Sequence, residues 1–471
     1  MTASGASTDP LAIAPLGRPI DASLRVPGSK SLSNRHIVLA ALRALDGRET
    51  MLRGALRCDD TERLATALAR LGLALDFSGD DLRVRPGVPA SARDAIEVNL
   101  GDGGTPTRFM LAFAAGALPE SAGAVVVDGS ARMRERPVAE GVAMLRALGA
   151  EIAFVEVEGR LPVRVRAGGM RGGAIKVGRT ASSQFVSALL LVAHRLRDGL
   201  DLAFTEHPTS ASYIELSLAA LEQAGLGGGL RVDRAPDGAL ARIRIEANSS
   251  ASSCSTSCCS GAPIVSIEPD ASSAVYPAAA AALVGGRVVL EGLPRDSVQP
   301  DRVFLDDLVR RGARVEPCRA TDGGPATLVA ADGALRGVDS DYALAPDAAV
   351  MAMVLAGSGD RPSRFTGLGT LRVKESDRIE AVAAGLRALG GTVETGPDWM
   401  RVDPLPKALR PAAIDTVNDH RIAMAFAVLG LARPGVSIRN PGCVAKSWPG
   451  FWRSIDLLRA RAIGDTAASN P

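Results

Sequence analysis

The chain has 471 residues, which is too long for one ordinary hydrophobic core, so two or more domains are expected. Its hydrophobic fraction of 46% and charged fraction of 23% are those of a globular protein. The net charge of only +2 argues against a general nucleic-acid binder. No apolar run reaches the roughly 18 residues of a membrane span. Residues 1–10 lack the basic and apolar regions of a signal peptide.

A repeated pattern runs through the chain. Five predicted helices are each followed by a glycine, which is the usual residue after a helix C-terminus, and these glycines are 76 to 87 residues apart. They are Gly72, Gly149, Gly225, Gly312 and Gly390. A second series of small polar clusters runs in step, and each cluster opens an apolar helix. These clusters start near Lys30, Gly104, Ser182, Ala271, Asp347 and Asp419.

The two series predict six units, each with two helices and strands between them. One long interval in each series spans residues 249–260, so we expect two domains of three units each. The second-series helices are apolar all round, which predicts that they are buried. Their polar N-termini would emerge at one end, and if the two domains face each other there, they line a cleft for a highly anionic ligand.

In chain order, the first polar motif is residues 27–35. Lys30 and Ser31 open a helix and Arg35 lies about one turn further on, which suits a phosphate or carboxylate ligand or else a plain capped helix. The P-loop spacing is absent. Next, a Gly-rich turn before Arg108 either brings backbone N–H groups to an anion or is a simple turn.

Two more motifs precede the interval between the domains. Residues 132–136 carry three arginines before Pro137 and predict either an anion site or a charged surface turn. The run Ser182-Ser-Gln184 opens an apolar helix, where its hydroxyl and amide groups either hold phosphate oxygens or cap the helix.

Three cysteines crowd into the serine-rich residues 249–260, as Cys254-x3-Cys258-Cys259. This spacing is compatible with a metal, but no histidine lies in or near it and no second ligand pair follows at a zinc spacing. We therefore expect an exposed loop with reduced thiols, in a cytoplasmic protein, and assign the loop no function.

Beyond that loop, Asp270 and Asp347 each open a buried helix. We expect Asp270 to be an N-cap, whereas Asp347 is either a cap or a base in a cationic cleft. The run Asn418-Asp-His-Arg421 repeats the pattern with a cation added, and Lys446 precedes an aromatic C-terminal stretch.

The densest motif, Arg372-Val-Lys-Glu-Ser-Asp-Arg378, holds three cations and two carboxylates. Apolar residues at helical spacing follow it from 379 to 389, so it predicts a helix start with Ser376 or Asp377 as the cap. Lys374 and Arg378 would share a face if the motif is helical, and would make an anion site with the helix N-terminus. Glu375 could then move a proton beside the anion. The alternative is a solvated, salt-bridged turn.

The lysines strengthen the first of these interpretations. Only five lysines stand against 49 arginines, so a Lys within a polar motif is a candidate for compact charge or proton transfer, for which Arg is poorly suited. Lys30, Lys374 and Lys446 all lie in such motifs.

Taken in order, these motifs resemble those of the 5-enolpyruvylshikimate-3-phosphate (EPSP) synthases, the enolpyruvyl transferases of the shikimate pathway. The resemblance covers residues 16 to about 455 and rests on eight ordered motifs. It implies an α/β protein with a two-domain inverse α/β barrel-like fold, each domain made of three βαβαββ repeats around buried helices. In this family the chain crosses between domains twice. The implied domains are residues 1–28 with 268–471, on the phosphoenolpyruvate side, and residues 29–267, on the shikimate 3-phosphate side.

The resemblance also implies a reaction. The enolpyruvyl group of phosphoenolpyruvate is transferred to the 5-hydroxyl of shikimate 3-phosphate by addition and elimination, and phosphate is released, on the route to chorismate and aromatic amino acids. Two phosphates and two carboxylates enter one site, where Arg and Lys neutralise them, so no metal and no cofactor are expected. The expected partners are these small molecules and no nucleic acid or membrane, and the expected state is a monomer in the cytoplasm. The family is the target of the herbicide glyphosate.

Roles follow from the resemblance, residue by residue. Asp347 would take the proton from the 5-hydroxyl, Glu375 would handle the proton at the pyruvyl methylene, and Lys30 would assist phosphate departure. Lys30 and Lys374 would lie near both substrates, and Ser31 would be a further substrate contact. Shikimate 3-phosphate would be held by Arg35, Ser182, Ser183, Gln184, Ser210 and Tyr213. Phosphoenolpyruvate would be held by Gly104, Arg132, Arg378, Arg421 and Lys446.

Four sites depart from the family pattern and bear on substrate binding and glyphosate sensitivity. Asp102 and Thr370 stand where Asn is usual, Phe109 replaces a frequent Pro, and Ala211-Ser212 replaces Lys-Pro. Two other readings remain. One is the sister enzyme that acts on a UDP-amino sugar and uses a loop Cys, which residues 117–122 lack. The other is a non-catalytic polyanion-binding protein, against which the presence of Lys30, Asp347, Lys374 and Glu375 together argues.

Overall fold

The computed structural model describes residues 9–88, 95–247 and 262–462, so the serine- and cysteine-rich residues 249–260 lie outside the described residues. The chain divides into two compact units. The central unit is Gly28–Glu268, and the terminal unit combines Met1–Pro27 with Pro269–Pro471. Within the described ranges, no helix is long and apolar enough to cross a bilayer.

The terminal unit begins with two strands, β1 (Leu11–Ala12) and β2 (Ile20–Leu24). The elements of the central unit follow in chain order. They are α1 (Lys30–Leu45), β3 (Thr50–Arg53), α2 (Asp59–Arg70), β4 (Ala74–Ser78), β5 (Asp81–Arg85), β6 (Ile96–Asn99), α3 (Gly104–Gly116), β7 (Ala124–Asp128), α4 (Ala131–Glu135), α5 (Ala139–Ala147), β8 (Ile152–Phe154), β9 (Val163–Arg166), β10 (Gly173–Val177), α6 (Gln184–Val192), β11 (Leu200–Phe204), α7 (Ala211–Gln223), β12 (Leu230–Arg234), β13 (Leu240–Ile245) and β14 (Ile264–Ser266).

The chain then returns to the terminal unit. Its remaining elements are α8 (Ala271–Val284), β15 (Gly286–Glu291), α9 (Val303–Arg310), β16 (Arg314–Arg319), β17 (Pro325–Ala331), β18 (Ser340–Asp341), α10 (Pro346–Ala356), β19 (Ser363–Thr366), α11 (Arg378–Ala388), β20 (Val393–Thr395), β21 (Met400–Val402), β22 (Ala412–Ile414), α12 (His420–Ala432), β23 (Val436–Ile438) and α13 (Phe451–Ala460).

The central unit contains three four-stranded sheets of the same design. Their strand orders are β14-β3-β5-β4, β6-β7-β9-β8 and β10-β11-β13-β12. In each sheet the first pair is parallel and the other pairs are antiparallel. The second and third sheets are therefore βαβαββ repeats in chain order. The first repeat is completed by β14, which lies parallel to β3 although it comes from the end of the unit.

The terminal unit repeats the design with one difference. Its strand orders are β16-β17-β15-β2, β18-β19-β21-β20 and β1-β23-β22. The N-terminal strand β2 pairs in parallel with β15, so the start of the chain belongs to the unit built by its C-terminal half. The third sheet has three strands among the described residues, and its antiparallel member is β1. The sixth repeat thus departs from the βαβαββ pattern expected for every unit.

Each unit has its own hydrophobic core around three buried helices. These are α1, α3 and α6 in the central unit and α8, α10 and α12 in the terminal unit, and within each unit the three pack against one another. In α12 every residue from His420 to Leu431 is buried. Neighbouring helices and sheets surround such a helix, which explains why it is apolar on all sides.

The glycines of the repeat end helices as predicted. All five have positive φ values, between 70° and 105°, which favour glycine. At each one, the N–H of the next residue donates to the carbonyl five positions earlier, as in Leu73 to Leu68 and Ala150 to Leu145. This is the Schellman geometry, which satisfies carbonyls that the helix end leaves free.

Candidate functional site

Three helix N-termini of the terminal unit carry one cluster of charged side chains. Its members, here called the Asp347 cluster, are Asp347, Lys374, Glu375, Arg378, Asp419, Arg421 and Lys446. They come from the first turns of α10, α11 and α12, from the turn before α11, and from the 3-10 turn Pro441–Lys446. With four cations and three carboxylates, the cluster has a net charge of +1 when all its members are ionised.

Arg378 is the centre of the cluster. It opens α11, and its side chain is only 1% exposed. Its Nη1 donates to Asp347 Oδ1 at 2.8 Å, its Nη2 to Glu375 Oε2 at 2.9 Å, and its Nε to Asp419 Oδ2 at 2.8 Å. Burial lowers the pKa of Arg378, but the carboxylates around it outweigh burial and raise that pKa above its ordinary value. Arg378 therefore stays charged and holds three carboxylates in fixed positions.

Asp347 bridges the two arginines. Its Oδ2 accepts from Arg421 Nη2 at 3.0 Å, and Lys374 Nζ lies 3.7 Å from its Oδ1. Burial would raise the pKa of Asp347, but the charges of Arg421, Lys374 and Arg378 together hold it well below its usual range. Asp347 is thus ionised, and its proton affinity is low while these cations face it.

The polar side of the cluster remains partly accessible. The side chains of Asp347 and Glu375 are 18% and 15% exposed, and those of Lys374 and Lys446 are 23% and 14% exposed. Lys446 Nζ lies 3.6 Å from Glu375 Oε1. Two carboxylates and two lysines are therefore available to an incoming molecule, while the arginines behind them fix the arrangement.

Local capping explains how the sequence places these groups. Asp377 caps α11 by accepting from Glu380 N, whereas Ser376 donates to Asp419 Oδ2 at 2.9 Å. Lys374 precedes the helix, so it does not share a helical face with Arg378, and the two cations meet at Asp347 instead. Asp270 caps α8, as expected.

Asp347 is not the cap of α10, and its role as a base stays a prediction. It follows Pro346 in the first turn of α10, and its oxygens accept from Arg378 and Arg421. Asp301 instead accepts from the N–H of Ala348 and supplies the cap.

The central unit places the other predicted residues in smaller groups. Lys30 opens α1, and its Nζ lies 3.4 Å from Oδ2 of Asp60 on α2. Arg35 is buried, and its guanidinium donates to the Ser217 and Ser187 hydroxyls and to the carbonyls of Ser31 and Tyr213. Burial lowers the pKa of Arg35 to about 10.

Gln184 and Gly104 belong to one group around Arg108. Arg108 Nη1 donates to Gln184 Oε1 at 2.9 Å and to the Gly104 carbonyl at 3.0 Å, and Gln184 Nε2 donates to Thr105 Oγ1. The Arg108 guanidinium also lies over the ring of Phe185, 5.0 Å from its centroid. The motif at the start of α6 is thereby tied to the Gly-rich turn at the start of α3.

Arg136, and not Arg132, lies beside Gly104. A Cβ atom built on Gly104 would lie 2.7 Å and 2.8 Å from the two terminal nitrogens of Arg136. Arg132 instead pairs with Glu135 at 2.6 Å and is 45% exposed. The sequence signal was ambiguous because both arginines belong to the same motif, and only the bend after α4 distinguishes them.

The serines expected to hold a phosphate lie at two helix starts. Ser182 Oγ accepts from Gln184 N at 3.3 Å, and Ser183 is buried at the N-terminus of α6. Ser210 precedes α7 with a left-handed backbone (φ 47°), and Tyr213 follows in the first turn of that helix. Ser31, Arg35 and Tyr213 are joined by the hydrogen bonds of Arg35 described above.

The four departures from the family pattern have distinct surroundings. Asp102 accepts from the Ser130 hydroxyl, which also caps α4, and Ala211 opens α7 with Ser212 behind it. The Phe109 ring lies 5.6 Å from the Arg35 guanidinium. The Thr370 hydroxyl is buried and has no hydrogen-bond partner among the described residues.

Sequence reasoning did not single out Arg136, and it assigned no role to Asp60 or Asp419. Asp419 caps α12 by accepting from Arg421 N and also accepts from Ser376 and Arg378, with its side chain fully buried. Its position between Asn418 and His420 in a recognised motif was the available signal. The signal for Asp60 was weaker, because only the fold brings it to Lys30.

These features define a class of protein: an α/β protein of two three-repeat units, with charged clusters at the N-termini of buried helices that suit anionic substrates. The family model of EPSP synthase (3-phosphoshikimate 1-carboxyvinyltransferase) matches residues 16–455. The chain belongs to this family.

Individual relatives agree. The chain is 37% identical over 437 residues to the 3-phosphoshikimate 1-carboxyvinyltransferase of Methanoculleus marisnigri, a match that covers 93% of this chain and 96% of that protein. It is 38% identical to the enzyme of the same name from Thiobacillus denitrificans, and that match covers 92% of this chain and 96% of the relative. A solved structure of EPSP synthase from Acinetobacter baumannii superposes with a TM-score of 0.74 at 24% identity, covering 97% of this chain and 98% of that one. This likeness confirms the predicted fold class.

Proposed function

We propose that the chain transfers the enolpyruvyl group of phosphoenolpyruvate to the 5-hydroxyl of shikimate 3-phosphate and releases phosphate. One observation carries the proposal: in a chain of this family, the Asp347 cluster gathers two partly exposed carboxylates and four cations at the starts of three helices. Proton transfer and binding of a small polyanion require this combination of groups.

The cations of the cluster would hold phosphoenolpyruvate. Lys374 Nζ lies 3.7 Å from Asp347 Oδ1, and Lys446 Nζ lies 3.6 Å from Glu375 Oε1. The carboxylate and phosphate of the substrate would compete with these two carboxylates for the lysines. Arg421 would contribute a guanidinium, while the more buried Arg378 would keep the carboxylates in place.

Asp347 would become a base when the substrates bind. Its cationic neighbours keep its proton affinity low in the free protein. An anionic substrate that pairs with these cations weakens their effect on Asp347 and so raises its proton affinity. Asp347 then takes the proton of the 5-hydroxyl as that oxygen attacks the enolpyruvyl carbon. Glu375 delivers a proton to the methylene carbon during addition and removes one during elimination, when the bond between the attacked carbon and the phosphate oxygen breaks. The phosphate leaves, and the proton held by Asp347 passes to it.

The central unit would supply the shikimate 3-phosphate contacts named above: Ser31, Arg35, Ser182, Ser183, Gln184, Ser210 and Tyr213. Because Arg35 makes four internal hydrogen bonds, part of its function would be to orient Ser187, Ser217 and the start of α7. Lys30 would assist the departing phosphate. Gly104 would contact phosphoenolpyruvate, together with Arg136 in place of Arg132, because Arg136 is the arginine beside that glycine.

We further propose domain boundaries near Gly28 and Glu268, a monomer, a cytoplasmic location and a reaction that uses no metal or cofactor. The boundaries are supported by the separate hydrophobic cores of the two units. Analytical ultracentrifugation at micromolar concentration tests the monomer, and turnover after dialysis against a chelator tests the independence from metal.

The direct test of the function is release of phosphate from phosphoenolpyruvate. Release should require shikimate 3-phosphate and should not occur with UDP-N-acetylglucosamine. Release with the UDP-sugar would assign the chain to the sister reaction. Binding of shikimate 3-phosphate without release under any condition would support the non-catalytic alternative.

A further inference from the structure

Lys30 is paired with a carboxylate that the proposed reaction does not use. Its Nζ lies 3.4 Å from Asp60 Oδ2, and the two side chains are only 17% and 5% exposed. Asp60 is the second residue of α2, where free backbone N–H groups and the helix dipole stabilise a negative charge. The pair is thus a largely buried ion pair between the first turns of α1 and α2.

The second oxygen of Asp60 is the more informative one. Oδ1 is buried and accepts no hydrogen bond from the described residues. A Cβ atom on Gly103 would lie 3.2 Å from it, so the Gly-rich turn that leads to Gly104 passes directly beside this carboxylate. A buried carboxylate oxygen without a donor is costly, and such an atom calls for an explanation. Here Oδ2 of Asp60 faces Lys30, while Oδ1 is buried beside the turn that leads to a proposed substrate contact and has no donor among the described residues.

We propose that Asp60 is a positioning residue for Lys30, an assignment that rests on the proposed function because that function places Lys30 at the substrates. In the free protein Asp60 holds the ammonium group through Oδ2. When an anionic substrate arrives, the ammonium turns toward it and stays bonded to Asp60, because the second oxygen is available as an acceptor. The carboxylate therefore orients Lys30 for the departing phosphate and at the same time competes with the substrate for its charge.

Orientation of Lys30 by Asp60 favours turnover, whereas competition for the Lys30 charge weakens substrate binding. The two effects can therefore be separated by measuring turnover and binding in the same variant. Replacing Asp60 by Asn keeps the shape but removes the charge, so anions should bind Lys30 more tightly while its orientation is lost. A substitution that merely loosens the fold would weaken binding and turnover together. The matched control is Asp59→Asn, because Asp59 opens the same helix but pairs with Arg63 on the exposed surface, at 2.7 Å.

Steady-state kinetics give the first measurement. We expect Asp60→Asn to lower kcat at least ten-fold while the KM for phosphoenolpyruvate stays constant or falls, and Asp59→Asn to change both by less than two-fold. A rise in KM that accompanies the loss of kcat would overturn the assignment, and so would wild-type kcat in Asp60→Asn. If Asp60→Asn does not fold, as judged by circular dichroism, Asp60→Ser makes the same comparison.

Calorimetric titration with inorganic phosphate gives the second measurement and needs no turnover. Asp60→Asn should bind phosphate at least three-fold more tightly than wild type, and this gain should vanish in the Lys30→Met background. A gain that persists without Lys30, or no gain at all, contradicts the coupling between the two residues. The wild-type chain could fail to turn over shikimate 3-phosphate while the phosphate affinities of these variants change as expected. The proposed function is then wrong, and the Lys30–Asp60 coupling stands.

Discussion

At the scale of single residues, Arg378 explains why the densest motif of the sequence is not a solvated turn. A guanidinium that is 1% exposed and bonded to three carboxylates is part of the interior. Removing one partner of such a buried group leaves charges uncompensated, which costs far more than an exposed ion pair contributes. The accessible members around it, Glu375 and Lys374, are therefore held at fixed positions.

Glu375→Gln should cripple turnover and leave substrate binding nearly intact. Gln keeps the reach of the side chain toward Arg378 but cannot exchange a proton, and general acid–base catalysis is typically worth about 10² to 10⁴-fold in rate. We expect kcat to fall by that order in steady-state assays, with the KM for phosphoenolpyruvate constant or slightly lower because a negative charge is removed.

Two further variants show whether the effect of Glu375→Gln is one of proton transfer. Lys374→Met should raise KM because it removes a cation, and Glu380→Gln, on the exposed face of α11, should change neither constant by more than two-fold. If Glu375→Gln keeps kcat within a few-fold of wild type and changes only KM, Glu375 is a structural partner of Arg378 and not a proton carrier.

The pKa of Asp347 makes a prediction about acid stability. Because that pKa is depressed in the folded protein, Asp347 stays ionised while the unfolded chain takes up its proton below about pH 4. The stability it contributes is present above that pH and is lost as the pH falls toward the lower folded value. Asp347→Asn has no such proton to bind, so its urea midpoint should fall less steeply between pH 5 and pH 3 than that of wild type.

A surface carboxylate provides the control for this experiment. Asp341→Asn alters an exposed residue of the same unit outside the Asp347 cluster, so it measures the effect of an Asp-to-Asn exchange as such on the urea midpoint. Equal slopes for wild type and Asp347→Asn would show that the cations do not depress the proton affinity of Asp347.

At the scale of elements, the glycine after each helix is the feature that the sequence predicted best. The prediction succeeded because the requirement is local: a positive φ and a backbone hydrogen bond that depend on adjacent residues alone. The caps at Asp270 and Asp377 were predictable for the same reason.

Gly149→Ala should therefore destabilise the protein for conformational reasons alone. The φ of Gly149 is 96°, yet a Cβ atom would meet its nearest neighbour, Arg171 N, at an ordinary 3.5 Å. We expect a loss of about 1 kcal/mol in urea unfolding, since a left-handed conformation costs an L-residue roughly 1–2 kcal/mol. Gly149→Asn should lose less, because Asn tolerates this region better.

Gly228→Ala is the matched control, because its φ is not positive and its Cβ atom would meet open space. It should leave the unfolding midpoint unchanged. Equal losses at Gly149 and Gly228 would mean that the helix-ending glycines are not selected for their backbone conformation.

The pairing of some strands was not predicted because their partners are remote in sequence. β14 pairs with β3 although more than 200 residues separate them. The family resemblance placed residues 1–28 with the C-terminal half, but not the pairing of β1 with β23. Likewise, Arg136 reaches Gly104 and Asp60 reaches Lys30 only once helices from different parts of a repeat have packed. Residue types and spacing carry no information on such contacts.

At the scale of the whole molecule, residues 9–27 belong to the terminal unit. Strand β2 lies in register with β15, where Ile20 pairs with Gly286 and Leu24 with Leu290. Ile20 is fully buried in the core of that unit. The chain must therefore bring residues 20–24 back to residues 286–290 before this core is complete.

Ile20→Ala tests this arrangement. Truncating a fully buried isoleucine typically costs about 2–5 kcal/mol, so the unfolding midpoint in urea should fall sharply. Asp21→Ala, one residue on, removes only an exposed ion pair with Arg287 and should cost less than about 1 kcal/mol. Similar small effects for both variants would mean that β2 is not part of the terminal core.

In the proposed function, the Asp347 cluster would transfer an enolpyruvyl group by addition and elimination, and Glu375 would be the proton carrier at the methylene carbon. Turnover in D₂O tests it most directly, because each addition places a solvent-derived deuteron on that carbon. With shikimate 3-phosphate and phosphoenolpyruvate, mass spectrometry and NMR should find deuterium in the vinyl methylene of the product formed by wild type, and Glu375→Gln should form that product only at the rate lowered by 10² to 10⁴-fold. Product formed without methylene deuterium, or formed by Glu375→Gln at the wild-type rate, would contradict the account.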